Sequence, residues 1–244
     1  MLSLKEEILQ TIYQVFAEWA TGFSFACQKK CAVCCTQNVV MTALEGETIY
    51  HLIQQTGREL WFAAQLQKKG ITGRPALTTN DFAGVCLGQG QSVESAQSAQ
   101  SGNMSSCPFL EAGCCQIYEA RPFSCRCFAS VQRCSAGGTA IAPEHYLSAS
   151  TAVLQIIEHL GQGEYWGNML DVLAALSDLS QHQPVAALLP ATFAAQARVQ
   201  LIKAKPLPGF LLLDEEKEQI GPLLDTIFNR QVRGKTVMAI LNGH

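Results

Sequence analysis

The stretch Cys27-Gln-Lys-Lys-Cys31-Ala-Val-Cys34-Cys35 opens a region that holds all eleven cysteines of this 244-residue chain. The other seven are Cys86, Cys107, Cys114, Cys115, Cys125, Cys127 and Cys134. Thiolates two or three residues apart in a tight turn can converge on one metal ion or cluster. The pattern therefore predicts a cysteine-rich metal-binding layer.

A framework of disulfide bonds is the alternative to a metal site. The number of cysteines is odd, and Met1-Leu-Ser-Leu-Lys-Glu-Glu carries two acidic residues where a secretory signal would have a basic segment. We therefore expect a cytoplasmic protein, because a reducing compartment keeps thiols free to bind metal.

The composition restricts the possible partners. Hydrophobic residues make up 48% of the chain and charged residues 15%, which is typical of a globular protein with a large core. The net charge of −3 argues against nucleic-acid binding. No apolar run approaches the roughly 20 residues of a membrane span. A protein or redox partner is the expectation that remains.

The apolar spacing predicts a mainly α fold, with the irregular cysteine-rich layer packed on a helical body. Ser3 and the capping box Thr42-Ala-Leu-Glu45 mark two helix starts, and Gly221-Pro222 is expected to kink or split the last long helix. The predicted helices cover residues 3–20, 42–55, 58–69, 144–159, 165–179, 191–204 and 214–230. We expect the stretches 209–213 and 236–241 to be either extended or helical.

Two regions are expected within one globule. Residues 1–142 hold the cysteines and the N-terminal helices, and residues 143–244 form a helical region. The segment 88–106 is rich in Gln, Ser and Gly, so we expect it to be a flexible insertion that contributes nothing to the core.

Three segments together resemble the family of zinc- or iron-chelating proteins named for its C-x-x-C-x-x-C-C pattern. They are residues 27–45, Cys107-Pro-Phe-Leu, and residues 115–126 with Arg-Pro-Phe-Ser-Cys at its centre. The resemblance implies a metal or iron–sulfur protein similar to iron–sulfur oxidoreductases, with a distant relation to flagellin lysine N-methylases. The metal ligands that it implies are Cys27, Cys31, Cys34, Cys35, Cys107, Cys115, Cys125 and Cys134. Arg121 and Arg126 are expected either beside the cofactor, where they would offset thiolate charge, or at the surface or paired with carboxylates.

This chain also departs from the family pattern. The first spacing is three residues rather than two, and Cys86, Cys114 and Cys127 are additional. Eight thiols exceed the four that one zinc ion or one cubane cluster takes, so either two sites exist or auxiliary thiols surround one site. We expect the adjacent Cys34 and Cys35 to point in different directions and to serve different sites. Cys86 is expected to be a small buried residue.

The spacing of Cys27, Cys31 and Cys34 also occurs in radical S-adenosylmethionine enzymes. Those enzymes carry it after the first strand of a partial β/α barrel, and the strands of such a barrel are not predicted here. The leading hypothesis is therefore an iron–sulfur protein, with a [4Fe–4S] cluster used in electron transfer or redox chemistry. The alternatives are a structural zinc module on a helical interaction domain and a lysine-methylase-like enzyme. Whether the protein is an enzyme is left open.

Overall fold

The computed structural model describes residues 2–28, 30–71, 73–89, 103–134 and 139–243. The mainly α fold is confirmed within these ranges. The helices are α1 (Leu4–Ala20), α2 (Ala43–Thr56), α3 (Glu59–Leu66), α4 (Thr79–Cys86), α5 (Phe123–Arg126), α6 (Tyr146–Leu160), α7 (Met169–Leu176), α8 (Gln183–Ala186), α9 (Phe193–Arg198), α10 (Asp214–Asn229) and α11 (Val237–Leu241). The strands are β1 (Val40–Thr42), β2 (Leu110–Glu111), β3 (Cys114–Cys115), β4 (Tyr165–Asn168), β5 (Ile202–Lys203), β6 (Gln231–Val232) and β7 (Lys235–Thr236).

Capping boxes begin the first two helices, which confirms the predicted Ser3 cap and the predicted Thr42–Glu45 capping box. The Ser3 hydroxyl accepts a hydrogen bond from the Glu6 N–H, and the Glu6 carboxylate accepts one from the Ser3 N–H. Thr42 and Glu45 make the same reciprocal pair at the start of α2. Each pair satisfies two N–H groups that the helix itself leaves without acceptors, and so fixes the helix start.

Several predicted helices differ from the structure. The segment 165–179 begins as strand β4 and becomes helical only at Met169, and the segment 191–204 is helical only as α9 and then forms β5. Helix α10 runs through Pro222 without being split. Helix α4 was not predicted, because its eight residues are too short for a clear apolar period.

A small antiparallel sheet links the two halves of the chain. Strand β4 lies at its centre, between β1 and β5, with Met41 opposite Gly167 and Trp166 opposite Ile202. Gly167 has a φ of 159°, and a Cβ atom there would lie 2.7 Å from the Leu201 side chain. Glycine therefore permits the close approach of the next segment.

Two hydrophobic cores hold the helices together, and both take residues from each side of residue 142. The first joins the apolar face of α1 to α6 and α10, with Ile12, Val153 and Ile227 fully buried. The second joins α2 and α3 to α7, with Phe62 and Leu173 fully buried. The cysteine-bearing segments lie against these cores.

No helix in the described part of the chain is long and apolar enough to cross a membrane. The expected flexible insertion at 88–106 lies largely outside the described residues.

Candidate metal centre

Two cysteine-bearing segments are joined by backbone hydrogen bonds. The Cys107 N–H donates to the Cys35 carbonyl oxygen at 2.9 Å, and Thr36 forms a β-bridge with Ser106. The Gln37 N–H donates to the Ser105 carbonyl at 2.9 Å. This short ladder fixes Cys35 beside Cys107, although 72 residues separate them in the sequence.

A tight hairpin brings Cys115 back toward the same place. Strands β2 and β3 pair Leu110 with Cys115, and the two turn residues, Ala112 and Gly113, have φ values of 49° and 76°. Positive φ at both turn positions is typical of the type I′ hairpin turn. Cys115, like Cys107, packs against the second core. The hairpin therefore adds a third thiol next to the Cys35–Cys107 ladder.

Helix α5 supplies Cys125. The helix is only four residues long and begins after Pro122, whose fixed φ suits a helix start. Its first residue, Phe123, is fully buried, with its ring 4.7 Å from that of Phe16 and 6.1 Å from that of Tyr13. The buried ring attaches this short helix to α1 and so fixes the position of Cys125.

A buried carboxylate holds the start of α5. Glu45 is 2% exposed, and its Oε1 atom accepts hydrogen bonds from the Tyr13 hydroxyl at 2.8 Å and from the Phe123 N–H at 2.7 Å. Its Oε2 atom accepts from the N–H and the hydroxyl of Thr42. One side chain therefore connects α1, α2 and α5. The sequence indicates the capping role of Glu45, but a capping glutamate is usually exposed, and no local pattern signals its burial.

The thiols of Cys35, Cys107, Cys115 and Cys125 lie close enough to influence one another. Burial raises the pKa of Cys107 to about 11, and the neighbouring Cys115 adds to this effect. Burial also raises the pKa of Cys125 well above its usual range, and repulsion from Cys107 and Cys115 raises it further. Repulsion from Cys107, Cys115 and Cys125 acts on Cys35 as well. The pKa values of Cys107, Cys115 and Cys125 are all raised, so charge on these three thiols is costly unless a cation accompanies it.

The adjacent Cys34 and Cys35 do not point apart, so that expectation is wrong. A hydrogen bond between the two thiols is the main cause that raises the pKa of Cys34 and lowers the pKa of Cys35. Cys34 therefore lies at the edge of the same thiol group. It is more exposed than Cys35.

The two arginines lie beside this group. The Arg121 guanidinium lowers the pKa of Cys34, Cys115 and Cys125, although other effects outweigh it. The Arg126 guanidinium lies 4.4 Å from the centre of the Tyr13 ring, and burial lowers its pKa. Arg121 is therefore placed to offset thiolate charge.

Three other predicted ligands are not joined to the group. Cys27 and Cys31 are exposed, and Cys134 is half-buried near the end of a described range. The Cys27 thiol approaches the Ser130 carbonyl oxygen at 4.0 Å. Burial is the main cause that raises the pKa of Tyr146, and Cys127 and Cys27 add to it. The structure thus places both of these cysteines near Tyr146, which the sequence spacing did not indicate.

The remaining cysteines lie apart from the group in different ways. Cys86 is exposed on the last turn of α4, so the expected burial of this residue is wrong. Cys114 precedes Cys115 on β3 and, because successive strand residues face opposite ways, points to the other face of the hairpin. All eleven cysteines are free thiols in this structure.

The thiol group is a set of neighbours and not a finished ligand sphere. Among the described residues, no three or more His, Cys, Asp or Glu side chains stand in position to hold a metal ion. The chemistry of the donors still fits a soft metal, because the neighbouring side chains are thiols with an arginine beside them.

Comparison with known proteins adds no relative. No family model, curated protein or solved structure matches the chain. The resemblance to the C-x-x-C-x-x-C-C family therefore stays a prediction based on the motifs.

Proposed function

We propose that the chain is a metal-binding protein that holds an iron–sulfur cluster, of the [4Fe–4S] type, on Cys35, Cys107, Cys115 and Cys125. The observation that carries the proposal is that these cysteines, up to 90 residues apart in the sequence, influence one another's pKa and lie on segments linked by the Cys35–Cys107 backbone bond and the β2–β3 hairpin. One cubane cluster takes four cysteine ligands. The cluster would serve electron transfer or redox chemistry with a protein partner in a reducing compartment such as the cytoplasm.

The segments that carry the thiols are suited to closing on a cluster. Cys34 and Cys35 follow a turn in which the Cys35 N–H donates to the Ala32 carbonyl at 3.0 Å, and one ladder bond joins Cys35 to Cys107. Small shifts of these loops would draw the thiols together. Binding of metal commonly completes the folding of such a site, since the ligands are fixed only when the ion is present.

The remaining predicted ligands have a separate role in this proposal. Cys34 is adjacent to the group and can replace a neighbour, whereas Cys27, Cys31 and Cys134 belong to a more exposed part of the layer. A second site built on these residues is the two-site alternative drawn from the sequence. We favour one site with auxiliary thiols, because Cys107, Cys115 and Cys125 all act on the pKa of Cys35, and Cys107 and Cys115 act on that of Cys125.

A structural zinc site is the second candidate, and the same observation supports it. Zinc accepts four thiolates in tetrahedral geometry and needs no sulfide. The geometry adds no support for the hypothesis of a lysine-methylase-like enzyme.

Purification without oxygen, followed by analysis of iron, sulfide and zinc, tests the proposal. We expect brown protein with iron and acid-labile sulfide in equal amounts, and loss of both in a Cys125→Ser variant. Colourless protein that carries one zinc per chain after cluster reconstitution would instead establish the zinc module. Protein that binds neither iron nor zinc would refute both.

A further inference from the structure

A cavity of about 380 Å³ lies on the side of α5 that carries Arg126. Six aromatic side chains line it, from α1, from the loop that follows it, from α5 and from the start of α6. They are Tyr13, Phe16, Phe23, Phe25, Phe123 and Tyr146. A volume of this size is in the usual range for small-molecule sites, which are mostly apolar with a few polar groups.

The rings form a connected wall. Phe25 and Tyr146 lie edge to face with centroids 5.2 Å apart, and Phe23 and Tyr146 do the same at 5.6 Å. Phe16 bridges this wall to Phe123. Phe16, Phe123 and Tyr146 are buried in the first core, whereas Phe23 and Phe25 are partly exposed and offer stacking and edge contacts to a flat ring, the preferred geometries for aromatic pairs.

Two arginines are the charged groups that line the cavity. Arg126 donates from Nε to the Arg121 carbonyl at 2.7 Å and from Nη2 to the Glu119 carbonyl. Arg121 donates from Nε to the Tyr118 carbonyl at 3.0 Å and lies over the Tyr118 ring. Carbonyl oxygens and ring faces hold both guanidinium groups in place, and the Glu45 carboxylate attracts Arg126 from beyond ion-pair distance.

No carboxylate neutralises either guanidinium at contact distance. Within the described ranges, no Asp or Glu side chain forms an ion pair within 4.0 Å of Arg121 or Arg126. The two positive charges also repel each other, which contributes to the lowered pKa of Arg126. Two neighbouring cations beside an apolar cavity favour an anionic group on whatever enters it.

We propose that this cavity binds a small aromatic carboxylate, with its ring against the aromatic wall and its carboxylate on Arg121 and Arg126. The guanidinium fork matches a carboxylate with two parallel hydrogen bonds. The proposal does not depend on the nature of the metal, because the cavity is built from side chains other than the thiols. Helix α5 carries both Cys125 and Arg126, so a ligand here would lie next to the proposed cluster.

Equilibrium dialysis of the full chain, purified without oxygen, against 2-naphthoate and 2-naphthamide tests the proposal. The two probes share the ring system and differ in charge. We expect naphthoate to bind about tenfold more tightly than naphthamide, with an affinity that falls as salt is added. Equal affinity of the two probes, or no binding of naphthoate, would overturn the proposal.

Variants assign the binding to this cavity. Arg126→Gln should weaken naphthoate binding about tenfold and leave naphthamide binding unchanged. Arg74→Gln removes the same charge from a side chain that lines a different cavity, and it should leave both unchanged. Ala20→Phe, which fills the cavity from α1, should abolish binding of both probes. Retention of naphthoate binding in Ala20→Phe would place the ligand elsewhere and refute the proposal.

The metal and the cavity are tested separately in these experiments. Iron, sulfide and zinc are measured on the same samples, and circular dichroism verifies the fold of each variant. If a preparation that binds no metal still binds naphthoate, the cavity proposal stands and the cluster proposal fails. If the protein is brown but does not bind naphthoate, the cluster proposal stands and the cavity proposal fails.

Discussion

Replacement of Glu45 by alanine should destabilise the protein strongly, because this side chain is an acceptor shared by three elements. The change removes the acceptor for the Tyr13 hydroxyl, the Phe123 N–H and the Thr42 N–H, and all three residues are buried. A buried donor left without an acceptor costs about 1–3 kcal/mol. Water entering the new space and the removal of a buried charge offset part of this sum. We expect a net loss of about 3–4 kcal/mol.

A graded series of variants separates the contributions. Tyr13→Phe removes one donor and leaves the Glu45 contacts with Phe123 and Thr42 in place, so it should cost about 1 kcal/mol. Urea unfolding of the metal-free chain, followed by circular dichroism, measures both variants. A loss below about 1 kcal/mol for Glu45→Ala, or one no larger than that for Tyr13→Phe, would refute the reasoning.

The same variant tests whether Glu45 positions the thiol group. Phe123, whose N–H it accepts, begins the short helix that carries Cys125. Loss of a residue that orients a ligand weakens metal binding by about 10- to 100-fold. Ile227→Ala is the control, because it empties a fully buried position on α10 at a cost of about 2–5 kcal/mol without touching α5. Equal loss of metal in the two variants would mean that Glu45 acts through stability alone.

Three further predictions concern the thiols, the buried carboxylate of α6 and the metal-free state. Metal analysis should show that serine at Cys115 or Cys125 removes most of the metal. Serine at Cys114 or at the exposed Cys86 should leave the metal content unchanged. If Cys115→Ser kept its metal and Cys114→Ser lost it, the roles of these two cysteines would be exchanged. Burial raises the pKa of Glu158 above 4.5, so its stabilising contribution is present below pH 4.5 and lost as the pH rises through the raised folded value. The free energy of unfolding in urea should therefore fall from pH 4 upward in the wild-type protein relative to Glu158→Gln. An equal dependence on pH in the two proteins would contradict this. Removal of metal should raise hydrogen exchange in residues 103–127 and leave the core of α1, α6 and α10 protected; uniform loss of protection would show that the helical body depends on the metal layer.

The sequence predicted the long helices because their patterns are local. Helices α1 and α2 carry both an apolar stripe and a capping box, and α10 carries three acidic residues in its first turn. Pro222 did not split α10, although it lies at the ninth position of the helix and removes one internal hydrogen bond, because residues on both sides of it, including Ile220 and Leu223, pack in the first core. These elements are specified by residues within a few positions of one another.

The small sheet could not be predicted in the same way. The segment 165–168 is part of an apolar run that continues into α7, and its strand character depends on pairing with β1, more than 120 residues earlier. Periodicity cannot separate a short strand from the start of a buried helix. Only the distant partner decides between them.

For the candidate site, the sequence supplied the residue types and left their grouping open. Spacing alone treats Cys27, Cys31, Cys34 and Cys35 as one motif, yet the structure couples Cys35 to Cys107 through a ladder bond and leaves Cys27 and Cys31 exposed. The ladder and the hairpin are long-range features, and both depend on the backbone rather than on the cysteines. Sequence spacing could therefore name the thiols of the layer without sorting them into one site or two.

The choice between neighbouring cysteines follows from the geometry of the strand that carries them. On β3 the pleat sends Cys114 and Cys115 to opposite faces, and the pairing of Cys115 with Leu110 turns Cys115 toward the core and toward Cys107. In the turn before Thr36, by contrast, no pleat separates Cys34 from Cys35, and their thiols interact. A pair of adjacent cysteines is thus divided between two faces when it lies in a strand and can share one face when it lies in a turn. For this reason we expect Cys34, and not Cys114, to replace a neighbouring thiol in the proposed site.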